Sequence, residues 1–167
     1  MRGATNHRDD YPYWMDIAQG ELGQAEISGT ASHNARIQEY LKEANLAGGD
    51  ETPWCSAFVN WVMKKAGYSR TSMPNARSWL GWGIPIAYPK FGAITVFMRN
   101  NADGSPSGWK GHVALFRKSE GSKIYVLGGN QGDKVSIAGY PRTRLLGYRW
   151  PYELDYDKHL RESIPLS

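Results

Sequence analysis

Hydrophobic residues change their spacing halfway along this chain, and that change limits the fold more than any single residue does. In the first half they recur at helical intervals: Trp14, Ile17, Ala18 and Leu22, then Ile37, Tyr40, Leu41 and Ala44 behind a capping residue, Asn34. A third helix is expected with Thr52 as N-cap and Pro53 in the first helical position. Trp54, Phe58, Trp61 and Val62 would form its apolar face, Lys64 and Lys65 its last turn, and Gly67 its stop. A short helical turn is expected after Pro74, through Ala76 and Trp79 to Gly81. The second half reads as strands over Ala93–Met98, His112–Arg117, Lys123–Leu127, Lys134–Ala138 and Leu145–Arg149, separated by clusters rich in Gly, Asp, Ser and Pro. Helices first and strands afterwards predict an α+β fold, with N-terminal helices packed on a mainly antiparallel sheet of about five strands.

At 167 residues the chain suits one domain. We expect that domain over 12–151, with a flexible arm over 1–11 and a polar tail over 152–167. The net charge of +4 comes from Lys and Arg scattered among acidic residues, which speaks for ordinary solubility and against nucleic acid as a partner. No apolar run is long enough to cross a bilayer, so no stable membrane insertion is expected, and Met1 to Tyr13 lacks the apolar core of a secretory signal. The expectation is a soluble monomer made in the cytoplasm. No Cys/His cluster has zinc-site spacing, and neither metal nor other cofactor is expected.

The only cysteine, Cys55, falls in the first turn of the expected third helix. Free N–H groups and the positive end of the helix dipole there favour a thiolate, the form that attacks carbonyls. A small, buried, inert thiol is the plainer alternative. A nucleophilic cysteine needs a base and a group to orient that base. His7 lies in the polar arm, His33 beside a helix cap and His159 in the charged tail, which leaves His112 at the start of a strand. The turn signal Glu120-Gly121-Ser122 centres a hairpin on Gly121. That register sets His112 opposite Asn130, Ala114 opposite Gly128 and Phe116 opposite Val126. Directly paired side chains have Cβ atoms about 4.5–5.5 Å apart, within reach of an Asn carboxamide bonding an imidazole. A one-residue slip would separate the two onto opposite faces. Gly128 and Gly129 mark either a bulge or a backbone kept bare for a close approach. The polar connection Arg99–Lys110 is read as a long loop on the substrate side of the sheet.

The segments Trp54-Cys55-Ser56-Ala57-Phe58-Val59-Asn60-Trp61, Gly111-His112-Val113 and Leu127-Gly128-Gly129-Asn130-Gln131 resemble the NlpC/P60 and CHAP class of papain-like peptidoglycan amidases and endopeptidases. The likeness runs from about Pro12 to Trp150-Pro151. It implies a papain-like fold, with Cys55 as nucleophile, His112 as general base and later acid, and Asn130 as orienting group. It also implies a thioester intermediate, no cofactor and bacterial peptidoglycan as partner. CHAP domains often carry an acidic residue two places before the asparagine, where this chain has Gly128. The Cys55 N–H would supply half of an oxyanion hole. Gln131 could contact substrate or supply the second donor, although stabilising its turn is the simpler role. Among seven tryptophans, Trp54, which also suits a helix core face, and Trp82, in groove-like surroundings, are offered as substrate contacts, while Trp109, just before His112, is the strongest substrate platform. The resemblance places action in the periplasm or cell wall, after lysis or specialised secretion, as a phage lysis enzyme or an antibacterial effector toxin with an immunity protein. Two other readings remain open here: a transglutaminase-like Cys-His acyltransferase, and a non-catalytic module that binds cell wall.

Overall fold

The computed structural model describes residues 11–27, 33–46 and 53–152. Nearly all of the expected arm and tail lies outside the described residues, as does Thr52. The described chain is α+β. Three helices, α1 (Trp14–Gly20), α2 (Ala35–Glu43) and α3 (Cys55–Lys65), precede a 3₁₀ segment over Ala76–Gly81. Strands β1 (Ile84–Ile86), β2 (Ile94–Asn100), β3 (Pro106–Glu120), β4 (Lys123–Gly128), β5 (Ser136–Pro141) and β6 (Leu145–Trp150) follow, with a 3₁₀ turn over Arg142–Arg144 between the last two. They form one antiparallel sheet in the order β1-β6-β2-β3-β4-β5.

Alternation along the strands gives the sheet two apolar faces. Ile94, Val96, Val113, Leu115 and Leu127 join the core beneath the helices, while Phe97, Ala114, Phe116 and Val126 form a second cluster with Tyr148. Helix α3 is the central element of the helical layer. Every residue from Cys55 to Met63 is buried, as expected of a helix that is apolar nearly all round. Each fully buried Phe58, Val59, Val62 or Met63 side chain contributes roughly 1.5–3 kcal/mol of transfer free energy. Tyr40 of α2 stacks on Trp54, meets Phe58 and Trp61 edge-on, and donates its hydroxyl to Glu21 Oε1 at 2.6 Å. Asn34 caps α2, its Oδ1 accepting from Arg36 N at 2.8 Å.

Several boundaries differ from the sequence expectation. Helix α3 starts at Cys55, with Trp54 as its N-cap residue and no side-chain cap, so Pro53 precedes the helix. Leu22 lies beyond α1 and is 42% exposed, because α1 stops at Gly20 before that turn can face the core. The strand β1 adds a sixth member on the edge of the sheet, and β5 begins at Ser136 instead of Lys134. The expected loop Arg99–Lys110 is largely hairpin: β2 runs to Asn100 and β3 starts at Pro106.

The β3–β4 hairpin reaches its expected pairing by two compensating departures. A two-residue turn, Gly121-Ser122, pairs Glu120 with Lys123, and a bulge at Arg117 then restores Phe116 opposite Val126. The ladder runs only as far as Leu115 with Leu127, and β4 ends at Gly128, before Asn130. No helix among the described residues is long and apolar enough to cross a membrane.

Candidate active site

Cys55 sits at the first position of α3, 5% exposed. Because no side chain caps this helix, the N–H groups of its first turn are free for another acceptor. The Cys55 sulfur is acted on by the N–H of Ser56 in that turn, by the N–H of Val113 on β3 and by the His112 side chain, all of which favour its thiolate. Burial by itself pushes the thiol up. The His112 hydrogen bond and charge, with those two N–H groups, outweigh it and bring Cys55 below the usual thiol range.

His112 is buried on β3 opposite Phe97 of β2. Its Nε2 lies 2.8 Å from Gln131 Oε1. The Gln131 amide nitrogen donates to Ser136 O at 2.7 Å, which fixes the carboxamide orientation and leaves only an acceptor facing the imidazole. Nε2 therefore carries a proton, and Nδ1 is left for the sulfur. Tyr140 places its hydroxyl 3.2 Å from the same Nε2 and packs its ring against both His112 and Phe97, each at 4.9 Å between centroids. Burial pushes the Tyr140 hydroxyl up to about 12; negative charge on Cys55 adds to the shift, and the Arg99 and Arg144 guanidinium groups oppose it.

The imidazole thus meets Gln131 where Asn130 was expected. The extended pairing stops at Gly128, and Asn130 adopts φ +58°, a left-handed conformation that Asn tolerates better than most residues. Asn130 lines a cavity of about 170 Å³ together with His112, Tyr140, Arg99 and Arg144, and makes no hydrogen bond to the ring. The two glycines before it are explained by packing. A Cβ on Gly129 would come 2.6 Å from Trp54 Cζ3 and 2.7 Å from Phe58 Cβ, and one on Gly128 would come 2.7 Å from Ala114 Cβ and 2.9 Å from Gln131 Oε1. The bare backbone receives α3 and β3.

A second cavity, of about 450 Å³, opens beside Cys55 and is walled by Pro74, Asn75, Ala76, Lys110 and Trp109. Ser56 holds one wall, donating to Met73 O at 2.7 Å and accepting from Trp79 Nε1 at 3.0 Å. The other wall is a bulge. Met98 pairs with Gly111 and Asn100 with Pro106, so Ser107–Lys110 stands opposite Arg99 alone. Arg77 donates to the carbonyls of both Ser107 and Lys110, and the Ser107 hydroxyl accepts from Trp109 N and Lys110 N. Strand bulges re-aim side chains, and this one turns Trp109 outward, 70% exposed at the cavity mouth.

The other tryptophans offered as substrate contacts are core residues. Trp54 is fully buried, with Nε1 on Glu26 Oε1 at 2.8 Å; Trp82 is 7% exposed, packs on Trp79 and donates to Ser69 O. Neither faces a groove. Gln131, also offered as a substrate contact, is 4% exposed and committed to His112 and Ser136. Tyr140, Arg77, Ser107, Arg99 and Arg144 were not singled out by the sequence. Among the described residues, no three His, Cys, Asp or Glu side chains gather as a metal site.

A family model described as CHAP domain matches residues 47–130, half of the chain and the span that contains Cys55, His112 and Asn130. No curated protein and no solved structure matches the chain.

Proposed function

The chain belongs to the CHAP domain family, and from that premise we propose that it is a cysteine hydrolase cleaving an amide bond of bacterial peptidoglycan, as a stem-peptide endopeptidase or N-acetylmuramoyl-L-alanine amidase. The family is one of peptidoglycan-hydrolysing amidases and endopeptidases in general. For the cysteine chemistry, one observation carries the reading: the His112 side chain lowers the Cys55 thiol and is itself held through Nε2 by Gln131 Oε1.

In this reaction the Cys55 thiolate attacks the amide carbonyl carbon. The oxyanion that forms is held by the Cys55 backbone N–H at the start of α3. His112, charged after taking the thiol proton, returns a proton from Nδ1 to the departing amine as the C–N bond breaks, leaving a thioester. Water enters, gives a proton to His112 and its oxygen to the carbonyl carbon, and the C–S bond breaks to release the acid. Gln131 holds the ring in the required tautomer throughout. It supplies no negative charge, so the charged imidazole relies on the thiolate alone, and the thiolate in turn on the start of α3.

The test is digestion of purified peptidoglycan, with fragments weighed by mass spectrometry. Each cut should add the mass of one water and expose one new amine, and Cys55→Ala should release nothing. Failure to release soluble fragments from any wall type would sink the proposal. Efficient capture of a labelled amine in place of water would make the protein an acyltransferase.

A further inference from the structure

Arg99 is the one residue that lines both cavities flanking the Cys55–His112 pair. It follows the last regular pair of β2, at the bulge that displays Trp109, and its side chain is exposed. Several other cations have partners. Arg36 meets Glu21 and Glu39, Lys64 and Arg70 meet Glu43, and Lys118 meets Glu120. Arg77, Arg142 and Arg149 donate to backbone carbonyls. Arg99 and Arg144 have no anionic partner among the described residues, and no Asp or Glu lines either cavity. Lys110 adds a third positive charge on the Cys55 side, over the Trp109 ring and within electrostatic reach of Asp103 outside the cavity lining. The Arg99 and Arg144 charges, without an anionic partner around a concave site whose lining lacks acidic residues, favour an anionic occupant.

We infer that the substrate is acidic next to the bond that is cut: a peptide stem whose free carboxylate, beside the scissile amide, is bound by Arg99, with Arg144 supporting it from the His112 side. This deepens the amidase reading above and rests on it. A guanidinium presents a fork of N–H donors that matches a carboxylate, whereas a carboxamide offers it one neutral acceptor. The Arg99 and Arg144 charges both act on Tyr140, which touches His112, so they lie close to the reacting groups.

The experiment compares two synthetic stem peptides that differ only in that position, a free carboxylate in one and its carboxamide in the other, with kcat and KM measured for each. The free acid should be preferred by roughly ten- to a hundredfold in kcat/KM, carried by KM, as expected of one charge-assisted contact. Its KM should rise with added salt while that of the carboxamide should not. Arg99→Gln should collapse the preference towards one, and Arg144→Gln should reduce it. Equal cleavage of both peptides by the unaltered protein overturns this inference and leaves the amidase reading standing. An Arg99→Gln variant that slows both peptides equally also overturns it, by making Arg99 a structural residue. Failure to cut either peptide or intact wall overturns both.

Discussion

His112 Nε2 and Gln131 Oε1 are 2.8 Å apart, and Gln131 is held from behind by Ser136 O, so the imidazole has one tautomer available. Removing that acceptor should harm the reaction more than binding. Gln131→Ala should lower kcat by roughly ten- to a hundredfold, part of the about 10²–10⁴-fold that general acid–base catalysis supplies, with little change in KM. The contrasting variant is Asn130→Gly, because glycine accepts the positive φ at that position while losing only the carboxamide. It should keep most of the rate. Kinetics on both variants, checked for folding by circular dichroism, decide the matter: a severe loss in Asn130→Gly with a mild one in Gln131→Ala would return the orienting role to Asn130.

Gly129 should resist even the smallest side chain. Its Cβ would fall 2.6 Å from Trp54 and 2.7 Å from Phe58, both fully buried on the side of the chain that carries Cys55. Gly129→Ala should therefore cost about 1–3 kcal/mol through overpacking. At this chain length each kcal/mol lowers Tm by about 2–4 °C. A thermal melt at the wild-type Tm would show that α3 can retreat from the β4–β5 connection.

The helix-then-strand order, the Asn34 cap, Cys55 at a helix start and the hairpin pairing of Phe116 with Val126 were all legible, because each follows from local spacing or turn chemistry. The exchange of Gln131 for Asn130 was not. It depends on where β4 stops pairing and on one residue turning to positive φ, after which alternation no longer says which side chain faces the ring. One local signal existed: an Asn between Gly129 and Gln131 in a turn-rich run is a natural left-handed position. Tyr140 could not be found this way, since it reaches His112 from across β4, two strands away in the sheet. The stretch from Ser107 to Lys110 looked like loop because the polar residues that stabilise a bulge are also those that populate loops.

Trp109 separates display from stability. With 70% of the side chain exposed, Trp109→Ala should leave stability within about 0.5 kcal/mol while raising KM for wall fragments. Ser107→Ala should also raise KM although its hydroxyl faces inward, because the Trp109 and Lys110 N–H groups lose the acceptor that shapes the bulge. That second variant should lose stability as well, by roughly 1–3 kcal/mol for donors left unpaired. An unchanged KM in Trp109→Ala would remove this side chain from the substrate path.

The depressed thiol makes a prediction about pH with a definite sign. Burial opposes the charge on Cys55, and His112 with the N–H groups of Val113 and Ser56 more than compensates, so the folded thiol ionises below the unfolded one, which titrates near about 8.5. A group whose folded pKa is lowered adds stability that is complete above the unfolded value and is lost as pH falls through the folded one. The stability difference between the wild type and Cys55→Ala should accordingly shift in favour of the wild type as pH rises towards about 8.5, then level off. Denaturant melts at a series of pH values read this difference. Alkylation reports the same ionisation independently, and the rate of iodoacetamide labelling of the folded protein should reach half its maximum at a pH below that of free cysteine. A labelling midpoint at or above about 8.5 would mean that burial prevails and that Cys55 is held as a neutral thiol.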